Sequence, residues 1–233
     1  NFGLREEVER VARDIESMKI RGAGRIAVAA ARALAITATE SSAISRDQFV
    51  EEMLRAARRL IETRPTAVSL PNSVRFVMKK LREGVKADYS LERLRSHIVE
   101  VSELFIDSAE QAVIRIGEYG SKIVEQGDTL MTHCNSASAL EIIKAAYRQG
   151  KEIRVYATET RPLFQGHITA QTLSKEGIDV SLICDNAVRH FISRIDKVVV
   201  GADAIAANGA LINKVGTSLV ALAAKEASIP FIV

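Results

Sequence analysis

The chain has no tryptophan, only two cysteines and four prolines, and aromatic residues make up 5% of its 233 positions. Proteins that hold nucleic acid usually gather Lys and Arg on one face and stack bases on aromatic rings. A formal charge of +3 with so few rings does not fit that class, so nucleic-acid binding is not expected. Two cysteines cannot build a disulfide framework. His97, His167 and His190 show no metal-ligand spacing with Cys184 or with one another, and no metal site is expected. There is no apolar run near the ~18 residues a membrane span needs, and no charged-then-apolar leader, so the reading is a cytoplasmic protein with reduced thiols and no membrane partner. No G-x-G-x-x-G follows any strand-like run, which argues against a nicotinamide cofactor.

What is present divides into two halves with different periodicity. Residues 1–126 read as a helical domain, because apolar residues recur at three- and four-residue spacing, as in Phe49, Met53, Ala56 and Leu60, then Val74, Val77, Met78 and Leu81. Helices are predicted over 4–18, 25–39, 46–63, 73–85 and 90 to about 124. Arg64-Pro65 should end the third, since the residue before proline is pushed out of the helical region, and Pro71-Asn72-Ser73 should cap the fourth. Residues 127–233 instead show short Val- and Ile-rich runs at 128–133, 152–158, 179–184, 197–201 and 230–233. Near-continuous apolar runs suit parallel strands buried on both faces. Between them, 136–148, 166–176, 187–194 and 217–227 are sized for crossover helices. The fold class is therefore α/β, an N-terminal helical domain followed by a doubly wound, Rossmann-like parallel-sheet domain. The last run reaches the final residue with no covering element after it, so the second domain is expected to be truncated at its C-terminus.

In open parallel sheets, ligands bind outside the carboxyl ends of the strands. Polar groups fall there four times: His133, Cys134 and Asn135; Glu159, Arg161 and Gln165; Asp185 and Asn186; and Asp203. Cys134 stands where a strand gives way to the small polar residues that open a helix, including Ser136 and Ser138. Unpaired N–H groups at such a helix start favour thiolate. His133 is placed to polarise its surroundings. Asp185 reads equally well as a helix N-cap. Asp203 lies between Gly201-Ala202 and Ala204-Ile205, which suggests an enclosed carboxyl with a raised pKa able to carry a proton. Asn208-Gly209 signals a tight hairpin holding Asp203 and Asn213-Lys214 on one excursion. Lys214 precedes Gly216-Thr217-Ser218, a helix start fit for an anion, with phosphate the expected one. Arg21-Gly22-Ala23-Gly24-Arg25 and Arg64-Pro65-Thr66 add cations where chain direction changes.

Taken together, Arg21-Gly22-Ala23-Gly24, Arg64-Pro65-Thr66, Thr132-His133-Cys134-Asn135, Glu159-Thr160-Arg161-Pro162 with Gln165-Gly166, Gly201-Ala202-Asp203 and Asn213-Lys214-Val215-Gly216-Thr217 resemble the superfamily of initiation factor 2B alpha, beta and delta subunits. The resemblance covers nearly the whole chain. It implies either a sugar-phosphate isomerase or a regulatory subunit with an initiation-factor partner. The isomerases carry the cysteine and aspartate that match Cys134 and Asp203, whereas the regulatory alpha subunit has serine and glutamate there. Methylthioribose-1-phosphate isomerases typically read Arg-Gly-Ala-Pro at the first motif and carry an extra segment before it. Here Gly24-Arg25 follows Ala23, and an additional cation suits a second phosphate better than a methylthio group. The pattern is most similar to the archaeal ribose-1,5-bisphosphate isomerases of nucleotide (AMP) salvage. That resemblance implies Asp203 as acid and Cys134 as base. It implies sugar-phosphate contacts from Arg21, Gly22, Ala23, Gly24, Arg64, Asn135, Ser136, Ser138, Gln165, Asn213 and Lys214, no cofactor, and a homodimer or hexamer.

Overall fold

The computed structural model describes residues 6–64 and 67–233, and Pro65 and Thr66 of the third cation motif lie outside the described residues. The chain forms two compact units that divide between Glu110 and Gln111.

The first unit contains α1 (Glu6–Glu16), α2 (Ala23–Glu40), α3 (Arg46–Glu62), α4 (Ser69–Lys86) and the start of α5 (Leu91–Gly120). Its core is one apolar cluster in which Val8 and Ile15 of α1, Ile26 and Leu34 of α2, Phe49 and Met53 of α3, and Val77 and Leu81 of α4 are buried. The alanine-rich α2, AGRIAVAAARALAITATE, lets its neighbours approach closely. Ser45 caps α3 by accepting from the Gln48 N–H at 3.3 Å. Arg59 of α3 reaches Glu9 of α1 with two hydrogen bonds of 2.9 Å. The fourth helix starts earlier than its proline suggested. Pro71 sits inside the first turn of α4 instead of ahead of it, because an N–H at that position has no intrahelical partner to lose.

The second unit carries a five-stranded parallel sheet of β1 (Thr129–Thr132), β2 (Arg154–Thr158), β3 (Asp179–Ile183), β4 (Lys197–Val199) and β7 (Phe231–Ile232), in the order β3-β2-β1-β4-β7. Side chains alternate across it. Leu130, Val155 and Val199 pack with α6 (Ala137–Arg148) and α7 (Gln165–Lys175) on one face, through Ile142, Ile143 and Leu173. Met131, Tyr156 and Val198 pack with α8 (Val188–Phe191) and α9 (Thr217–Glu226) on the other, through Val188, Val220 and Ala224. Helices on both faces make the sheet doubly wound, as expected. The predicted helix over 187–194 is broken: α8 is a single turn between two 3₁₀ turns, Asp185–Ala187 and Ile192–Arg194. Its Val, His, Phe and Ile are poor helix formers that give little to hold a longer helix together. The hairpin forms where Asn208-Gly209 predicted it, with β5 (Ala204–Ile205) antiparallel to β6 (Leu211–Ile212) and Gly209 at φ 82°. Among the described residues, no helix is long and apolar enough to cross a membrane.

Candidate active site

From β1 the chain runs outward through β2 to β3, whereas β4 and β7 lie on β1's other side. The direction of winding therefore reverses between β1 and β4. That switch point is where a doubly wound sheet opens a crevice at its carboxyl edge. Cys134 follows β1 and Asp203 follows β4, so the two residues leave neighbouring strands at the same edge. Gly201 makes the approach close. A Cβ there would fall 2.5 Å from the Ser136 Cβ and nearer still to its hydroxyl.

Cys134 is partly buried and has φ 71°, left-handed backbone that a side chain with a Cβ rarely adopts. Its N–H donates to Thr160 Oγ1 at 2.9 Å, and its carbonyl accepts from Thr169 Oγ1 at 2.8 Å. The same Thr169 oxygen lies 3.0 Å from Asn135 Oδ1. Helix α6 begins at Ala137 with Ser136 as its cap, accepting from the Ala139 N–H at 3.3 Å. Cys134 thus lies two residues ahead of the cap, outside the helix's first turn where the sequence suggested it. The Ser136 hydroxyl is engaged in capping, and Ser138 is half-buried in the first turn.

His133 is 2% exposed. Its Nε2 meets the Val215 carbonyl at 2.8 Å and its Nδ1 meets Thr158 Oγ1 at 2.6 Å. A carbonyl can only accept, so Nε2 carries the proton and Nδ1 accepts from the threonine. Burial pushes the imidazole pKa below its ordinary 6.5 and Lys214 adds to that, outweighing the Val215 hydrogen bond and the charge of Asp185. The neutral ring ties the end of β1 to the loop holding Asn213 and Lys214. Gly216, at φ 101°, is required there, since a Cβ would stand 2.8 Å from His133 Cε1. Within that loop Asn213 Nδ2 donates to Thr217 Oγ1 at 3.1 Å, and Thr217 Oγ1 donates to the Lys214 carbonyl at 2.7 Å. Helix α9 then starts after Gly216 with no side-chain cap.

One expectation needs correction and one open alternative is decided. Asp203 is exposed, as are Ala202 and Ile205 beside it, because this stretch turns away from the sheet into the hairpin. Small apolar neighbours did not mean enclosure, and the described residues do not supply the burial on which its expected proton-carrying character rested. Asp185 is not a helix cap. Its carboxylate accepts from Thr160 N at 2.8 Å and Arg161 N at 2.7 Å, pinning the loop after β2. Gln165 opens α7, is 6% exposed, and its Oε1 has no hydrogen-bond partner among the described residues. Arg21, Gly22, Ala23, Gly24 and Arg64 belong to the first unit: Gly22, at φ 93°, precedes α2 with no side-chain cap, and Arg64 follows α3. The roles of Thr158, Thr160 and Thr169 carried no local signal, although Thr160 sits in a motif the sequence singles out.

The Initiation factor 2 subunit family matches this chain over residues 19–233. The ribose 1,5-bisphosphate isomerase of Thermococcus kodakarensis is 50% identical over 221 residues, which are 95% of this chain and 69% of that protein. Among solved structures, the Pyrococcus horikoshii translation initiation factor eIF-2B aligns with a TM-score of 0.85 at 28% identity, over 98% of this chain and 78% of that one. The 5-methylthioribose 1-phosphate isomerase of the same organism aligns with a TM-score of 0.83 at 33% identity, over 96% of this chain and 65% of that one.

Proposed function

The chain belongs to the Initiation factor 2 subunit family, and from that premise we propose that it is an aldose–ketose isomerase converting ribose 1,5-bisphosphate to ribulose 1,5-bisphosphate in nucleotide (AMP) salvage. The observation that supports this most is the pair of chemically competent residues, Cys134 and Asp203, leaving adjacent parallel strands at the switch point. The relative at 50% identity carries the name of this activity.

The substrate is locked as a ring by its 1-phosphate, so opening requires an acid. Asp203 gives a proton to the ring oxygen as the bond from C1 to that oxygen breaks. The Cys134 thiolate takes the proton from C2, leaving an enediol-like intermediate with a C1–C2 double bond. Return of a proton to C1 and loss of the C2 hydroxyl proton give the ketose. Asp203 is assigned here by position, not by burial. Lys214, Asn213 and the start of α9 bind one phosphate, and within the first unit Arg21, the amides of Gly22 to Gly24, and Arg64 keep the anion-binding role that the family resemblance implies. Asn135 and Ser138 line the β1 side. The buried Gln165 carbonyl oxygen, without a partner among the described residues, accepts from a sugar hydroxyl. The protein works as a homodimer or hexamer, with no cofactor.

Ribose 1,5-bisphosphate incubated with the purified protein and followed by phosphorus and carbon NMR should yield ribulose 1,5-bisphosphate. Turnover of methylthioribose 1-phosphate instead would reassign the substrate. Conversion of neither, with capture of an initiation-factor partner, would replace the enzyme reading by a regulatory one.

A further inference from the structure

We infer that Thr160 and Thr169 are positioning residues: their hydroxyls hold both peptide groups of Cys134 and so fix the direction of its thiol. This rests on the isomerase reading for its consequence in turnover, but not for its geometry. Cys134 occupies left-handed backbone, which persists only where surroundings over-determine it. The two hydroxyls do so from opposite sides of the same Cα. Thr160 accepts the N–H at 2.9 Å and Thr169 donates to the carbonyl at 2.8 Å.

The two threonines come from different pieces of structure, the loop after β2 and the middle of α7, and both are buried, at 0% and 1% exposure. Thr160 is itself braced. It has φ 60°, Asp185 accepts its N–H, and its hydroxyl is 3.2 Å from the Thr158 carbonyl. Its single hydroxyl proton goes to that carbonyl, which leaves the oxygen's lone pairs for the Cys134 N–H. The chain runs from Asp185 through Thr160 to Cys134, and Gly166 keeps α7 against β2: a Cβ there would stand 2.7 Å from the Thr158 carbonyl carbon. Valine has threonine's shape without its hydroxyl. In its place, a peptide group of Cys134 loses its buried partner and the turn loses that restraint.

The test uses the chain carrying Cys184→Ala, so that Cys134 is the one thiol within these 233 residues. Thr160→Val and Thr169→Val should each lower kcat by about tenfold to a hundredfold, the scale of an ångström-sized misplacement, while KM changes by less than about threefold. Each should also shift the pH profile of Cys134 alkylation by iodoacetamide. Thr160→Ser and Thr169→Ser should restore both. The alanine variants carry the same expectation where a valine variant does not fold. Valine and alanine variants with parental kcat and alkylation profile, or serine variants as impaired as valine, would overturn the assignment. Alkylation needs no substrate, so a protein inactive on sugar phosphates would sink the proposed function while the thiol measurement still decides the positioning.

Discussion

Gly201→Ala isolates the close approach of β4 to the start of α6. Gly201 does not occupy left-handed backbone, so alanine carries no conformational penalty and the cost is packing alone. The new Cβ would stand 2.5 Å from the Ser136 Cβ, about an ångström inside the ~3.5 Å of comfortable carbon contact. Ser136 must move, which gives up its cap on α6, worth about 1 kcal/mol. Crowding a filled site costs a further ~1–3 kcal/mol. The sum is about 2–4 kcal/mol, and at roughly 2–4 °C per kcal/mol for a chain of this size the melting temperature should fall by about 4–16 °C. The decisive variant is the swap. Ser136→Gly removes the obstructing side chain and leaves glycine at an N-cap, where it costs only a few tenths of a kcal/mol. Gly201→Ala with Ser136→Gly should therefore return to within about 1 kcal/mol of the parent in urea unfolding followed by circular dichroism. A Gly201→Ala protein as stable as the parent, or a double variant no better than Gly201→Ala alone, would refute the packing argument.

Three further outcomes follow from the same geometry. Because burial holds the His133 pKa below 6.5, the unfolded chain binds a proton that the folded ring refuses; stability should fall as pH drops from about 6.5 toward the lowered folded value and be unaffected by this group above 6.5, so His133→Gln should flatten the pH dependence of urea unfolding between about pH 5 and 7. Asp185→Ala strands the N–H groups of Thr160 and Arg161 and should cost about 2–3 kcal/mol in the same assay, with Asp185→Asn losing less. In single turnover in deuterated water, the proton-transfer mechanism places deuterium at C1 of the ketose, whereas an unlabelled C1 would mean a hydride shift from C2.

The strands were legible because continuous apolar runs such as those at Leu130, Val155 and Val198 are bounded by charged or small residues, and a buried parallel strand needs that composition. The hairpin was legible from two residues, Asn208-Gly209, because a tight turn needs left-handed backbone at fixed positions. Strand order carried no such local mark. It depends on pairings between segments far apart in sequence, as when Asp196 accepts from the Thr129 N–H at 2.8 Å across 67 positions. The site divides along the same line. Reactive groups announce themselves by residue type, and Cys134, Asp203 and Lys214 stand out for that reason. What holds them does not: the hydroxyls on Cys134 arrive from 26 and 35 residues downstream, and the carbonyl on His133 from 82. Burial fails locally in the same way. Gly201-Ala202 before Asp203 reads as a wall, yet solvent reaches the aspartate because what encloses a residue is set by the neighbouring elements of the fold, not by its neighbours in the chain. A threonine in a strand-end loop is ordinary until the fold sets it against a strained cysteine, so residues that hold the chemistry in place have to be sought by tracing the partners of each strained backbone group.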